Sequence, residues 1–391
     1  MKIALAHDFL NQLGGAEKTL QALGEIYPNA PIFTLFYDEE FVAKNFPQQK
    51  IISSYLQGWN FFKKHHKYFL PFLPKAVESL DLANFDLVLS NTSAWTKGIL
   101  TRPETCHICY CHTPTRFLWD FKARYLEEQR LDPLRKMVVK AILKRIKNWD
   151  LQAKERVDFW IANSKNVQGR IEKYYNKKSV VIHPPVDTSK FIISPAFGGR
   201  NNTGERSADV QIERPSGDYF LIVSRLSPYK GVEMAVKAFN KLKLPLVIVG
   251  EGSQKDYLKS IAKGDIKFLG FQSDEEIRQY YSGCRAFIFP TFDEDFGITP
   301  IEAGASGRPV IAAGRGGTRE SVVEGLTGFF FNEPTPESLT EAVEKFIENE
   351  KNFNPQKIRE HALQFDIKVF KKKIKEFVEK SYREYHSTSK G

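Results

Sequence analysis

The sequence predicts an α/β fold built as two doubly wound domains, each a parallel sheet with helices on both faces. Three observations carry this expectation. The chain has 391 residues, more than one ordinary domain. Short apolar runs alternate with helix-sized segments, which is the pattern of parallel strands buried on both sides. The alternation occurs twice, interrupted by a polar, glycine-containing stretch at 194–217.

In the first half, the apolar runs at 2–6, 31–36, 87–90, 106–111, 159–162 and 180–182 read as strands. In the second half the strands fall at 219–224, 246–249, 267–271, 286–290, 310–313 and 328–331. The expected division is a first domain over 1–186, a connection over 187–218 and a second domain over 219–365. A last helix over 366–386 carries Val369, Phe370, Ile374 and Phe377 at helical spacing, and is expected to pack back on the first domain.

Hydrophobic residues make up 42% and charged residues 27%, the balance of a soluble globular chain. No run of eighteen apolar residues provides a spanning helix, and the start turns polar too soon for a signal peptide. Cys106 and Cys109 have the spacing of a metal hook, with His107 and His112 near. On a strand, residues three apart face opposite ways, so the pair reads as unpaired core thiols instead. Free thiols suit a reducing cytoplasm.

The richest motif runs from Pro290 to Ala312, from a strand end through a loop and a helix into the next strand. Loops at the carboxyl ends of such strands are where doubly wound sheets bind ligands. Glu294 and Glu302, eight residues apart, could hold sugar or ribose hydroxyls there. Thr299-Pro-Ile-Glu302 also has the form of a capping box, so Glu302 has a second reading as a helix cap. Asp293-Glu-Asp295 could be an acidic metal triplet. Ser224-Arg-Leu-Ser-Pro-Tyr-Lys-Gly231 opens the second domain, and Arg225 and Lys230 there suit phosphate oxygens or a plain solvated loop. Val249-Gly-Glu-Gly252 adds a glycine turn after a strand. His112 ends a strand, where it is either a core histidine or a cleft-facing one.

Together these elements resemble glycosyltransferase family 4, whose members have the GT-B architecture of two Rossmann-like domains facing across a cleft. The resemblance covers nearly the full chain and is densest from Tyr219 to Phe331. It includes Phe268-Leu-Gly-Phe and Gly316-Gly with Glu320, and in the first half Gly14-Gly15-Ala-Glu, His112-Thr-Pro-x-Arg116 and Ala162-Asn-Ser164. It implies retaining transfer from a nucleotide diphosphate sugar, a substrate rather than a cofactor, with no required metal. On this resemblance Arg225 and Lys230 stabilise the leaving diphosphate, Glu294 holds sugar hydroxyls and Glu302 the ribose. The donor also meets Phe296, Gly297 and Ile298. Gly14 and Gly15 bring backbone amides near phosphate and sugar, and His112 meets the sugar and acceptor. The base is expected near Gly250, Phe271 and Gln272, with UDP-hexose favoured over GDP-mannose.

The net charge of +10 is concentrated in places. Residues 134–147 carry six bases and no acid, with Leu134, Val138, Ile142 and Ile146 as a helical stripe. Trp59-Asn-Phe-Phe-Lys-Lys-His-His-Lys-Tyr-Phe-Leu70 interleaves aromatics with bases. Both fit docking on an anionic membrane face, where six bases contribute about 6 kcal/mol and a lipid-linked or glycan acceptor would be met. The alternative is a stripe in the core with a solvated basic face. An epimerase of the same architecture and a non-enzymatic nucleic-acid binder are rival functions. The second lacks any nucleic-acid motif, so no specific nucleic-acid partner is expected. A dinucleotide dehydrogenase is disfavoured because no Gly-x-Gly-x-x-Gly follows the first strand.

Overall fold

The computed structural model describes residues 1–59, 69–121, 126, 132–193 and 218–388. It forms two compact units, one of Met1–Pro185 with Ile367–Gly391 and the other of Val186–Asp366.

The first unit has a seven-stranded sheet of β1 (Ile3–His7), β2 (Ile32–Thr34), β3 (Ile51–Ser53), β4 (Leu87–Thr92), β5 (Cys106–Cys111), β6 (Phe159–Ala162) and β7 (Ser179–Val181). Its order is β3-β2-β1-β4-β5-β6-β7, and every pairing is parallel. Because side chains alternate along a strand, Ala4 and Ala6 face one core while Leu5 faces another. The core of Leu5 takes Leu20 and Leu23 of the helix Gly15–Ile26, and Phe370, Ile374 and Val378 of the helix Ile367–Thr388. Cys106 sits in that core, whereas Cys109 and Cys111 sit on the opposite face. Burial pushes the Cys106 and Cys109 thiols up to about 12.

The second unit repeats the design with β8 (Phe220–Val223), β9 (Leu246–Val249), β10 (Ile266–Gly270), β11 (Ala286–Phe289), β12 (Val310–Ala313) and β13 (Gly328–Phe331). The order β10-β9-β8-β11-β12-β13 is again all parallel. Phe220 and Ile222 face a core with Val236, Phe239 and Phe346, and Leu221 faces one with Tyr281 and Ile301. In each sheet the winding reverses once, between β1 and β4 and between β8 and β11. Ligand crevices of doubly wound sheets open at the carboxyl ends of such strand pairs.

Residues 187–193, expected within the connection, pack on the second unit. Phe191 is buried there against Tyr281, and Val186 bridges Asp366. An apolar side chain with that much to bury pulls its backbone out of a linker. The remainder of the expected connection, 194–217, lies outside the described residues.

The helix Pro133–Ala153 divides the expected basic stripe in two. Leu143 and Ile146 are buried and Ile142 is partly buried against the first unit's core. Leu134, Met137 and Val138 are 67%, 62% and 51% exposed. Of the second basic and aromatic stretch, 60–68 lies outside the described residues, and Trp59 is exposed. Among the described residues no helix is long and apolar enough to cross a membrane.

Candidate functional site

At the reversal of the second sheet, the loop after β8 meets the loop after β11. Gly231, with φ +70, closes the first loop so tightly that a Cβ there would lie 2.3 Å from the Pro290 carbonyl oxygen. Only glycine permits that approach and that dihedral together. The same contact brings Lys230 Nζ to 2.7 Å from Glu294 Oε2, an ion pair with both side chains 20% exposed. Arg225 stands exposed five residues before Lys230.

The loop after β9 braces this arrangement from the other side. Gly250 has φ +134, and a Cβ there would lie 2.0 Å from the Ser224 carbonyl oxygen. Ser224 N donates to Val249 O at 3.0 Å and Leu226 N to Glu251 O at 2.9 Å, so the backbone on both sides of Arg225 is tied to one turn. Gly250 N in turn donates to Gly270 O at 2.8 Å, beside Phe271, which is 81% exposed. Gln272 Nε2 donates to Leu269 O at 3.1 Å.

Three expectations for this region change. The helix Ile298–Ala305 starts two residues earlier than Thr299-Pro300 suggests, because Gly297 with φ +88 is its N-cap. Thr299 is therefore inside the helix, and Glu302 lies in its second turn without a capping role. Glu302 is 8% exposed, and its carboxylate accepts a hydrogen bond from the Tyr281 hydroxyl at 3.1 Å. Burial first, and then the Glu302 charge, raise the Tyr281 pKa well above its usual value, so the phenol stays a donor. Phe296 points into the core, 2% exposed and packed on Phe365, so only its backbone is placed to meet a ligand. Gly297 and Ile298 remain at the helix N-terminus, as the first residues a ligand there would meet.

At the reversal of the first sheet, β1 ends at His7, which registers with Asn91 on β4. Gly14 and Gly15 follow β1 and open the helix Gly15–Ile26. Gly14, expected to offer its amide to a ligand, already donates it to Glu17 Oε2 at 2.8 Å. A carboxylate three residues into a helix competes for that amide, so its availability to phosphate requires displacing Glu17. His112 follows β5, is 8% exposed, and places Nε2 at 2.7 Å from Asn91 Oδ1. Burial foremost, with the His7 charge, brings the His112 pKa down to about 4. His107, its neighbour in sequence, is a core residue: Nε2 meets Ser90 Oγ at 2.8 Å and Nδ1 meets Arg156 O at 2.9 Å. No group of three or more His, Cys, Asp or Glu side chains suited to a metal is found among the described residues.

Several residues around His112 had no sequence signal of their own. Asp8 is buried and accepts from the amides of Ser93, Ala94, Trp95 and Thr96 and from two threonine hydroxyls, which shapes the loop after β4. The Lys97–Asp150 ion pair, 2.7 Å long and almost fully buried, supports Thr115 in the loop after His112. Glu17 was visible only as the last letter of Gly14-Gly15-Ala-Glu.

Residues 14–190 match Glycosyltransferase Family 4, and residues 205–365 match Glycosyl transferases group 1. A D-inositol 3-phosphate glycosyltransferase of Mycobacteroides abscessus is 27% identical over 210 residues, 50% of this chain and 46% of that protein. The chain spans about half the length of the curated relatives it matches. Among solved structures, HepE of Anabaena in complex with UDP superposes with a TM-score of 0.67 at 19% identity, covering 97% of this chain and all of that one. Sucrose-phosphate synthase of Thermosynechococcus elongatus superposes with a TM-score of 0.75 at 16% identity, covering 97% of this chain and 99% of that one. With its two parallel α/β sheets and a family match across both units, this chain belongs to the family 4 type of GT-B glycosyltransferase.

Proposed function

We propose that the chain is a retaining glycosyltransferase that moves a hexose from a nucleotide diphosphate sugar, UDP-glucose being favoured, to a glycan or lipid-linked acceptor. The observation that carries this reading is the Lys230–Glu294 pair at the sheet reversal, with Arg225 exposed on the same loop. A leaving diphosphate needs cationic donors, and a sugar beside it needs a carboxylate acceptor for its hydroxyls. Arg225 and Lys230 supply the positive charge that a metal would otherwise supply, so the reaction is read as metal-independent. The sugar C1–phosphate oxygen bond breaks as the acceptor oxygen bonds C1 on the same face. The acceptor's proton passes to the departing phosphate oxygen. Glu302 binds the ribose hydroxyls, and the exposed Phe271 stacks on the base with Gly250 and Gln272 beside it. His112 contacts the transferred sugar.

UDP is favoured over GDP because HepE was solved with UDP and with UDP-glucose. Calorimetric titration with UDP, GDP, UDP-glucose and GDP-mannose tests it. Tighter binding of UDP and UDP-glucose is expected, and preference for the guanine pair would reverse the donor assignment.

On this reading the acceptor is met at an anionic membrane face, on the cytoplasmic side, in polysaccharide assembly. Leu134, Met137 and Val138 stand exposed beside the exposed Arg135, Lys140, Lys144 and Arg145, an apolar edge flanked by bases. Co-sedimentation with phosphatidylserine vesicles at low salt is expected, weakened at high salt and by Lys140→Glu with Lys144→Glu. Equal recovery with neutral and anionic vesicles would remove the membrane assignment.

A further inference from the structure

We propose that Asn91 is a positioning residue that fixes one tautomer of His112 and so presents Nδ1 as a hydrogen-bond acceptor to the transferred sugar. This rests on the reading that His112 contacts that sugar. The Ala16 carbonyl only accepts, and an Asn91 side-chain atom lies 2.9 Å from it. That atom is therefore Nδ2, and the amide's orientation is set. Oδ1 then faces His112, and it too only accepts. The His112 nitrogen 2.7 Å away, Nε2, must carry the hydrogen. In a neutral imidazole the lone pair is then on Nδ1, which no described residue bonds.

The cluster also keeps Asn91 and the ring in this state. His7 Nδ1 lies 2.7 Å from the main-chain carbonyl oxygen of Asn91 and 3.0 Å from Asn91 Nδ2. The carbonyl is the nearer and the only acceptor of the two, so it takes the His7 proton. His7 Nε2 lies 3.2 Å from Glu17 Oε1, which makes the second nitrogen a donor as well. Burial opposes a charged His7, but Glu17 and Asp8 outweigh it and its pKa rises. The groups that act on His112 electrostatically are His7, which disfavours its protonation, and Glu17 and Asp8, which favour it. The net result is a neutral ring. Glu17 links the cluster to the glycine turn through the Gly14 amide.

The chemistry gives this arrangement a use. Positive charge develops on the sugar ring as the bond to phosphate breaks. A second cation beside it would oppose that, whereas an imidazole lone pair accepting from a sugar hydroxyl supports it. With the hydrogen on Nδ1 instead, the ring would offer a donor in the wrong place. Asn91 thus acts on the reaction through His112 without touching the substrate.

The test reads the tautomer directly. Ring-¹⁵N-histidine labelling of the full chain gives imidazole signals from its eight histidines, and His112 is assigned by the signal that His112→Gln removes. In the wild type, Nε2 is expected to show the protonated-nitrogen shift and Nδ1 the unprotonated one. In Asn91→Ala this split should collapse toward averaged values. There kcat should fall more than tenfold while the KM for donor changes less than threefold. Asn91→Asp, nearly the same shape, should keep Nε2 protonated and raise the pKa at which His112 titrates, moving the acid limb of the kcat profile upward with it. Unchanged His112 shifts in Asn91→Ala, or an unchanged His112 pKa in Asn91→Asp, overturn the proposal. Full activity in His112→Gln instead overturns the sugar-contact reading, whatever the tautomer signals show.

Discussion

Replacing Lys230 with alanine is expected to lower kcat about a hundredfold, and Arg225→Ala at least tenfold, with little change in melting temperature for either. A preorganised donor at a developing oxyanion contributes roughly 3–4 kcal/mol, and the diphosphate gains its charge only as the bond breaks. Lys230 needs a control, because its 2.7 Å pair with Glu294 gives it a second task. If it served only to neutralise Glu294, then Glu294→Gln would restore most of the activity lost in Lys230→Ala. If it stabilises the leaving group, the double variant should be no faster than Lys230→Ala alone. Steady-state kinetics on the two single variants and the double variant decide this, and recovery within threefold of Glu294→Gln alone would end the leaving-group role. Arg225 is exposed, so its truncation removes little packing. Near wild-type turnover in Arg225→Ala would leave the diphosphate assignment without its main support.

The fold was readable because its strands are covered on both faces, which turns each into a continuous apolar run. β3 escaped that reading. Its three residues, Ile51–Ser53, lie half-buried at the sheet edge, too few and too exposed to stand out. The motif around Glu294 was readable for a different reason: loops at strand ends carry side chains with no packing duty. Inside the same motif the sequence was ambiguous wherever local form and three-dimensional contact diverge. Thr299-Pro-Ile-Glu302 has the letters of a capping box, yet a left-handed Gly297 starts the helix before Thr299. Asp295-Phe-Gly297 looks the same whether Phe296 faces a ligand or packs on Phe365, as it does. The first unit's cluster was illegible because its bonds join residues far apart in the chain. His7 and Asn91, or Asp8 and Thr92, are 84 positions apart and meet only once β1 pairs with β4. The basic stripe fails as a single element because the helix leaves the core partway along, burying Ile146 and exposing Leu134.

Gly250→Ala should be among the most damaging single substitutions in the second unit, and it tests the link between the turn and Arg225. Two costs combine. A side chain at φ +134 is strained by roughly 1–3 kcal/mol, and a Cβ at 2.0 Å from the Ser224 carbonyl forces backbone to move, adding about 1–3 kcal/mol. Gly264 is the natural control, since it too has a positive φ, +73, but nothing lies within 4 Å of its would-be Cβ. Gly264→Ala should therefore cost only about 1–2 kcal/mol. The difference between the two, read from urea midpoints followed through the second unit, measures the close approach together with the difference in backbone strain between φ +134 and φ +73. The functional consequence follows from geometry. Ser224 and Leu226 hang on Val249 and Glu251, the residues on either side of Gly250, and Arg225 lies between them. Moving this turn moves the guanidinium, so UDP binding should weaken in Gly250→Ala beyond what its folded fraction explains. In Gly264→Ala, UDP affinity should follow the folded fraction. Equal losses of stability in the two variants would mean that the close approach adds no cost, and undiminished UDP affinity in folded Gly250→Ala would mean that Arg225 is not held by this turn.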